Sequence, residues 1–313
     1  MTLNQNVINI GAGISGEYRL VVTKPDGTVS TDTGWFKNLI VNQGLDRIGN
    51  GGLNPIFNYC RVGTGNSTPA VTQTSLDAQI AASNAIGAAT SNTNEGAPLY
   101  RTTLVNTCVF PQGSVIGNIT EVGIGWATTG TTLFSRALIL DNLGFPTSIT
   151  LVAIDQLTVY YRVRIVPPLT DFSGSVTISG TPYNYTSRVA SVGSFGNIQY
   201  LFTYDYFSSP GTSSTYAAGA TLGAITAFGP TGTQSGTAGS VSNGSYTNGN
   251  YYKDSNWSWS ITQGLATGGI QAIRFSWGQT YQPFGFQVRF DTPIPKTNTN
   301  VLTLTMRFTW FRV

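Results

Sequence analysis

The chain has 313 residues, of which 9 % are charged and none is histidine, against 37 glycines and 12 % aromatics. The net charge of +3 is small for this length, and no stretch gathers lysine and arginine into the basic stripe that a nucleic-acid backbone requires. Without imidazole, Ser-His-Asp and Cys-His catalysis and histidine-ligated metals are excluded, which leaves paired carboxylates, lysine or tyrosine as routes to chemistry.

The aromatic content argues against disorder. Gly and Asn suit tight turns, while Thr and Tyr suit pleated surfaces, so the composition predicts an all-β fold. No apolar run approaches the ~20 residues of a membrane helix. "MTLNQNVINIGAGISG" has neither the basic start nor the apolar core of a signal peptide, and predicts a protein made in the cytoplasm. Cys60 and Cys108 each lie in an alternating apolar segment, where a thiol behaves as a small hydrophobe. They read as core thiols in a reducing compartment, with no metal and no disulfide framework.

In chain order, "EYRLVVTKPDGTVSTDTGWF" is a hairpin turning at Lys24-Pro25-Asp26-Gly27. "NLIVNQGLDRIG" is the best candidate for a short helix, weakened by Gly44. Next comes "RVGTGNSTPAVTQTSLDAQI", residues 61–80, which has the look of a catalytic loop. A Walker loop needs lysine after its second glycine, and here Asn66, Ser67, Thr68 and Pro69 follow Gly65. A dinucleotide fingerprint needs a third glycine, and a nucleophile elbow needs a serine between its glycines and a histidine elsewhere. The glycines therefore read as the end of a strand, with Thr74 or Ser75 capping a following helical turn.

Strand alternation resumes in "RTTLVNTCVF", "ITEVGIGW", "LFSRALIL" and "QLTVYYRVRIV", and stops at Pro167-Pro168. Arg162 and Arg164 fall on one face of the last of these, as a solvated or interface surface. After Phe172 the pattern recurs. Residues 119–139 align without a gap on 270–290, placing Ile119 on Ile270, Trp126 on Trp277 and Leu133 on Phe284. "LTVYYRV" from Leu157 then matches "LTLTMRF" from Leu302, with Arg162 on Arg307. The expectation is two tandem β-sandwich domains, 1–168 and 169–313, the second a diverged repeat of the first; a single large sandwich is the alternative. The uncharged stretch 206–252 reads as a long loop, either mobile or ordered against a neighbouring subunit. In "YYKDSNWSWSI", Trp257 and Trp259 share one strand face, and Lys253-Asp254 reads as a turn. Buried, the two rings fill the core or a subunit interface. Exposed, they and Tyr251 offer contacts to a glycan.

"WFKNLIVNQGLDRIG", "VGTGNSTPAVTQTSL", "ITEVGIGW…LFSRALILDNLGFPTSIT…DQLTVYYRV" and the closing "FDTPIPKTNTNVLTLTMRFTW" together resemble structural proteins of tailed-bacteriophage tails, baseplates and fibres. The resemblance spans most of 35–165 and the last thirty residues, not the Gly/Ser/Thr-rich middle. It implies a non-enzymatic virion component with no catalytic residues and no cofactor. It also implies partners among other tail proteins and copies of itself, on a threefold or sixfold axis. No collagen-like or heptad repeat is present, so a collar, baseplate, tail-tip or fibre-anchoring part is expected rather than a long shaft. The alternative is an adhesin at the tail tip recognising host glycans through Tyr251, Trp257 and Trp259. A carboxylate-pair glycan depolymerase ranks third. Few charges and only four lysines to guard edge strands also point to a homo-oligomer, a trimer or hexamer.

Overall fold

The computed structural model describes residues 7–50, 58–84, 91–192, 210–237, 239–277 and 284–313. The fold is all-β, with a single helix, Asn42–Asn50, among the described residues. The largest sheet has nine strands. Its central path runs Ser240–Asn243, Tyr252–Trp259, Leu302–Arg312, Ile8–Thr23, Gln156–Val166, Arg101–Phe110 and Ser91–Glu95, while Val29–Asp32 and Phe36–Lys37 also pair with Ile8–Thr23. A five-stranded sheet runs Leu39–Ile40, Leu133–Leu138, Glu121–Gly125, Tyr59–Gly63 and Gln79–Ser83. A six-stranded sheet runs Phe172–Ile178, Thr181–Ala190, Phe284–Ile294, Ile270–Trp277, Pro210–Ala217 and Gln234–Thr237. Gly117–Ile119 and Ile149–Leu151 form a separate ribbon.

The strand Ile8–Thr23 is the seam of the molecule. Its second part pairs antiparallel with Gln156–Val166, from Gly13↔Val166 to Thr23↔Gln156. Its first part pairs parallel with the last strand, from Ile8↔Met306 to Ile14↔Arg312. Alternation turns Ile8, Ile10, Ala12, Ile14, Tyr18, Leu20 and Val22 into the core, with Gly11, Gly13 and Val21 buried beside them, each buried Ile, Leu or Val contributing about 1.5–3 kcal/mol. Because registered residues of paired strands share a face, Met306, Phe308 and Trp310 lie on this same inner face. Both smaller sheets pack there, side by side. At one end Tyr18 meets Ser135 Oγ at 2.7 Å, and buried Cys60 and Cys108 come from facing layers. At the other end Trp257 meets Phe275 edge-on with centroids 5.0 Å apart, and Phe286 meets Phe308 at 6.2 Å.

The outer face carries charge. Arg162 and Arg164 both bond Glu17, Arg101 and Arg164 reach Glu95, Arg19 pairs with Asp32, and Arg307 with Asp254. Arg162 also lies 4.1 Å over the Trp35 ring, and Arg307 lies 3.6 Å over Tyr252, so the two arginines aligned in the sequence hold equivalent places.

The halves carry corresponding strand orders. Leu39–Ile40, 133–138, 121–125, 59–63 and 79–83 match 181–190, 284–294, 270–277, 210–217 and 234–237, neighbour for neighbour. In the nine-stranded sheet, 91–95, 101–110 and 156–166 match 240–243, 252–259 and 302–312. The ranges 1–168 and 169–313 nevertheless share that sheet and one continuous core. They are fused edge to edge, because the place beside the last strand is taken by Ile8–Ile14.

Three local expectations are corrected. Residues 74–78 form an irregular, bent segment leading into the strand Gln79–Ser83, not a helix, because the Asp77 and Ala78 amides are taken by the Glu121 carboxylate. Asp254 sits within a strand and not a turn, held by its cross-strand ion pair with Arg307. The stretch read as a loop over 206–252 supplies three strands, Pro210–Ala217, Gln234–Thr237 and Ser240–Asn243; residues 206–209 and 238 lie outside the described set. Its Tyr246 docks on the helix, donating to Asp46 Oδ1 at 2.6 Å and stacking near Trp310. No helix among the described residues is long and apolar enough to cross a membrane.

Candidate functional site

The Gly63-Gly65 segment is organised by a buried carboxylate. Glu121 Oε1 accepts from the amides of Gly65 at 3.0 Å and Ala78 at 2.8 Å, while Oε2 accepts from the Asp77 amide at 3.1 Å and Arg136 Nε at 2.8 Å. The Glu121 and Arg136 side chains are both fully buried. Arg136 continues outward to Asp77, Gln73 and the Ser67 carbonyl. Burial alone would push the Asp77 carboxyl up, but its bonds from Ser67 and the Arg136 charge outweigh that and hold it below the ordinary range. A Cβ on Gly63 or Gly65 would stand 2.4 or 2.5 Å from Glu121 Oε1, so the two glycines let the turn close over the acid. The segment is a structural clasp, with both carboxylate oxygens occupied.

The three sequence-predicted contact residues separate. Trp257 and Trp259 are 0 % exposed and lie in the core cluster, as the core reading expects, and this corrects the alternative that exposed them to a glycan. Alternation places them on the inner face, against Leu304 and Leu302 of the adjacent strand, and neither ring can be stacked upon. Tyr251 is partly buried against the core, at φ 54°, with its carbonyl accepting from the Trp310 amide at 2.9 Å and Arg312 over its ring. It serves the last strand.

A cavity of about 440 Å³ opens at the seam, within the size range of small-molecule sites. Its walls include Phe172 and Phe311, which are 39 % and 42 % exposed, and Tyr252. Arg188 and Arg307 also line it. Each is clamped in a two-point ion pair, Arg188 to Asp171 at 2.7 and 2.7 Å, Arg307 to Asp254 at 2.7 and 2.8 Å. The Arg188 bonds hold the Asp171 carboxyl below the usual carboxylate range, and Asp171 and Asp254 in turn raise the two guanidiniums.

The floor arises from the strand pairing. Asn9 donates its amide to Tyr185 Oη at 3.1 Å and accepts at its carbonyl from Ser187 Oγ, while Ile14 accepts from the Val313 amide. Backbone groups of successive strand residues point to opposite sides, so Gly11 faces the Asn9 side. Extending the register Gly13↔Val166 puts Pro168 opposite Gly11. Proline has no N–H to offer and the antiparallel ladder stops short of it, so Gly11, whose parallel partner Thr309 lies on its other side, turns its N–H and C=O toward the cavity it lines. Sequence reasoning missed this site. The available signals were the glycines Gly11, Gly13 and Gly16 inside one strand and the double proline, since a strand glycine marks close approach of another group.

Among the described residues, no group of three or more His, Cys, Asp or Glu side chains is placed to hold a metal ion. Comparison of the chain with protein-family models, with curated proteins and with solved structures found no match.

Proposed function

We propose that the chain is a non-enzymatic structural subunit of a tailed-bacteriophage particle, part of a tail, baseplate, collar or fibre anchor, working through contacts with its own copies and other tail proteins. The observation that carries the non-enzymatic part is the engagement of its acids. Of the thirteen acids, all twelve described ones are committed inside the chain. Nine are in ion pairs with arginine or lysine. Asp26, Asp46 and Asp141 accept from Thr28, Tyr246 and Gly249, and Leu143 and Phe145 respectively. With no histidine, a carboxylate general acid or base among the described residues would have to be drawn from this set.

The surface supports the assembly part. Phe172–Ile178 is an edge strand of seven uncharged residues, and Gln79–Ser83 and Gln234–Thr237 are uncharged edges of their sheets. Such edges offer unpaired backbone groups to a neighbouring chain. Exposed Ile116, Val152 and Ile154 add apolar surface around the two-stranded ribbon. The virion placement itself rests on the sequence resemblance. Antibody labelling and cryo-electron microscopy of purified particles test it: density for the chain in the tail, in three or six copies per ring, is expected. Particles that lack the chain, or turnover of a glycan by the purified protein, would overturn it.

A further inference from the structure

We propose that the cavity at the seam is a binding site for an uncharged saccharide unit. The inference rests on the cavity and is independent of the virion reading. Both guanidiniums in the wall are neutralised by carboxylates that engage them at two points, so no charge is left over for an ionic ligand. The exposed rings of Phe172 and Phe311 and the ring of Tyr252 give apolar walls. Yet a wholly apolar guest is disfavoured, because it would cover the N–H and C=O that Gly11 turns toward the cavity and offer them no hydrogen bond. The Asn9 carboxamide and the Thr309 hydroxyl belong to residues that line the cavity and add polar groups beside that floor. A ligand that satisfies all three conditions carries no charge, has a C–H face for the rings, and has a rim of hydroxyls able both to donate and to accept.

A pyranose ring has this form. Its hydroxyls would accept from the Gly11 amide and donate to the Gly11 carbonyl, while a C–H face lies on Phe311 or Phe172. The ion-paired arginines hold rigid walls, as Arg188 also donates to the Gly223 carbonyl at 2.9 Å and Arg307 lies on the Tyr252 ring. The site draws on the first strand, the last strand and the Phe172–Ala190 hairpin region, so it exists only where the two halves are fused.

The test uses the full chain and a panel of D-glucose, D-galactose, N-acetylglucosamine, maltose, lactose and cellobiose. Glucuronate is the charged control and cyclohexanol the apolar one. Saturation-transfer NMR and calorimetry should show at least one neutral sugar binding, tighter than either control. Phe311→Ala and Phe172→Ala should each weaken it about tenfold or more, and the near-isosteric Thr309→Val should weaken it as well. Thermal midpoints close to that of the parent chain show that the variants are folded, and Thr309→Val keeps the test decisive if a ring variant is not. The proposal is overturned if no neutral sugar transfers saturation at about 50 mM, a concentration that reveals even very weak sites. Binding unchanged in Thr309→Val and in the folded ring variants, or preference for glucuronate or cyclohexanol, overturns it equally.

Discussion

Replacing Glu121 by glutamine tests whether one buried carboxylate organises the 63–78 turn. The side chain has four donors and no solvent, two donors on each oxygen: Gly65 and Ala78 on Oε1, Asp77 and Arg136 Nε on Oε2. In either orientation an amide nitrogen must face two N–H groups, leaving both unsatisfied at about 1–3 kcal/mol each. It also leaves Arg136 buried beside a neutral group, with only the part-exposed Asp77 as counter-charge. Breaking a buried ion pair from one side costs about 3–5 kcal/mol, and the two routes agree. Against a total stability of about 5–15 kcal/mol, that lowers the thermal midpoint by roughly 5–10 °C. Differential scanning fluorimetry and urea titration read the loss, and hydrogen exchange locates it, with faster exchange at the Gly65, Asp77 and Ala78 amides. A midpoint within about 1 °C of the parent's, or unchanged exchange at those amides, refutes the clasp.

Acid should weaken the chain in a defined window. Arg19 holds Asp32 and Arg188 holds Asp171 below the ordinary range, and bonds from Thr103 and Arg101 overcome burial at Glu95 to do the same. Carboxyls lowered on folding contribute stability that is complete above the unfolded value near pH 4 and is lost as pH falls through the folded values. Urea midpoints flat down to about pH 5 and falling below about pH 4 are expected, and a rise on acidification contradicts this. Trp257→Ala should destabilise by about 3–5 kcal/mol through an unfilled cavity, and a loss under 1 kcal/mol would place that ring outside the core. Burial pushes the Cys60 thiol up, and both cysteines are nearly inaccessible, so a thiol reagent should label neither until the chain unfolds; labelling at the rate of a free thiol refutes the packing. Mass photometry at micromolar concentration should show a trimer or hexamer, and a lone 33.3 kDa species would argue against assembly through the edges.

Some of this was written locally. Alternation marked most long strands, Lys24-Pro25-Asp26-Gly27 set the first turn with Gly27 at φ 85°, and the helix Asn42–Asn50 took up the second part of "NLIVNQGLDRIG" and one residue beyond it. The aligned segments 119–139 and 270–290 became equivalent hairpins because the period-2 burial pattern and strand order travel together in sequence. Other features depend on partners far along the chain. Nothing near Asp77 announces Glu121, so helical capping at Thr74 or Ser75 looked as good as a turn. Trp257 and Trp259 have a common face in the sequence, but only the six-stranded sheet decided that this face is covered. The seam is the clearest case. "NIGAGISG" specifies a strand whose two sides each need a partner, and it was the arrival of the last strand on one side, and of two prolines where the other partner ends, that fused the halves and left Gly11 open. Side-chain period is local chemistry. Which backbone edge meets which is settled only when the whole chain has closed.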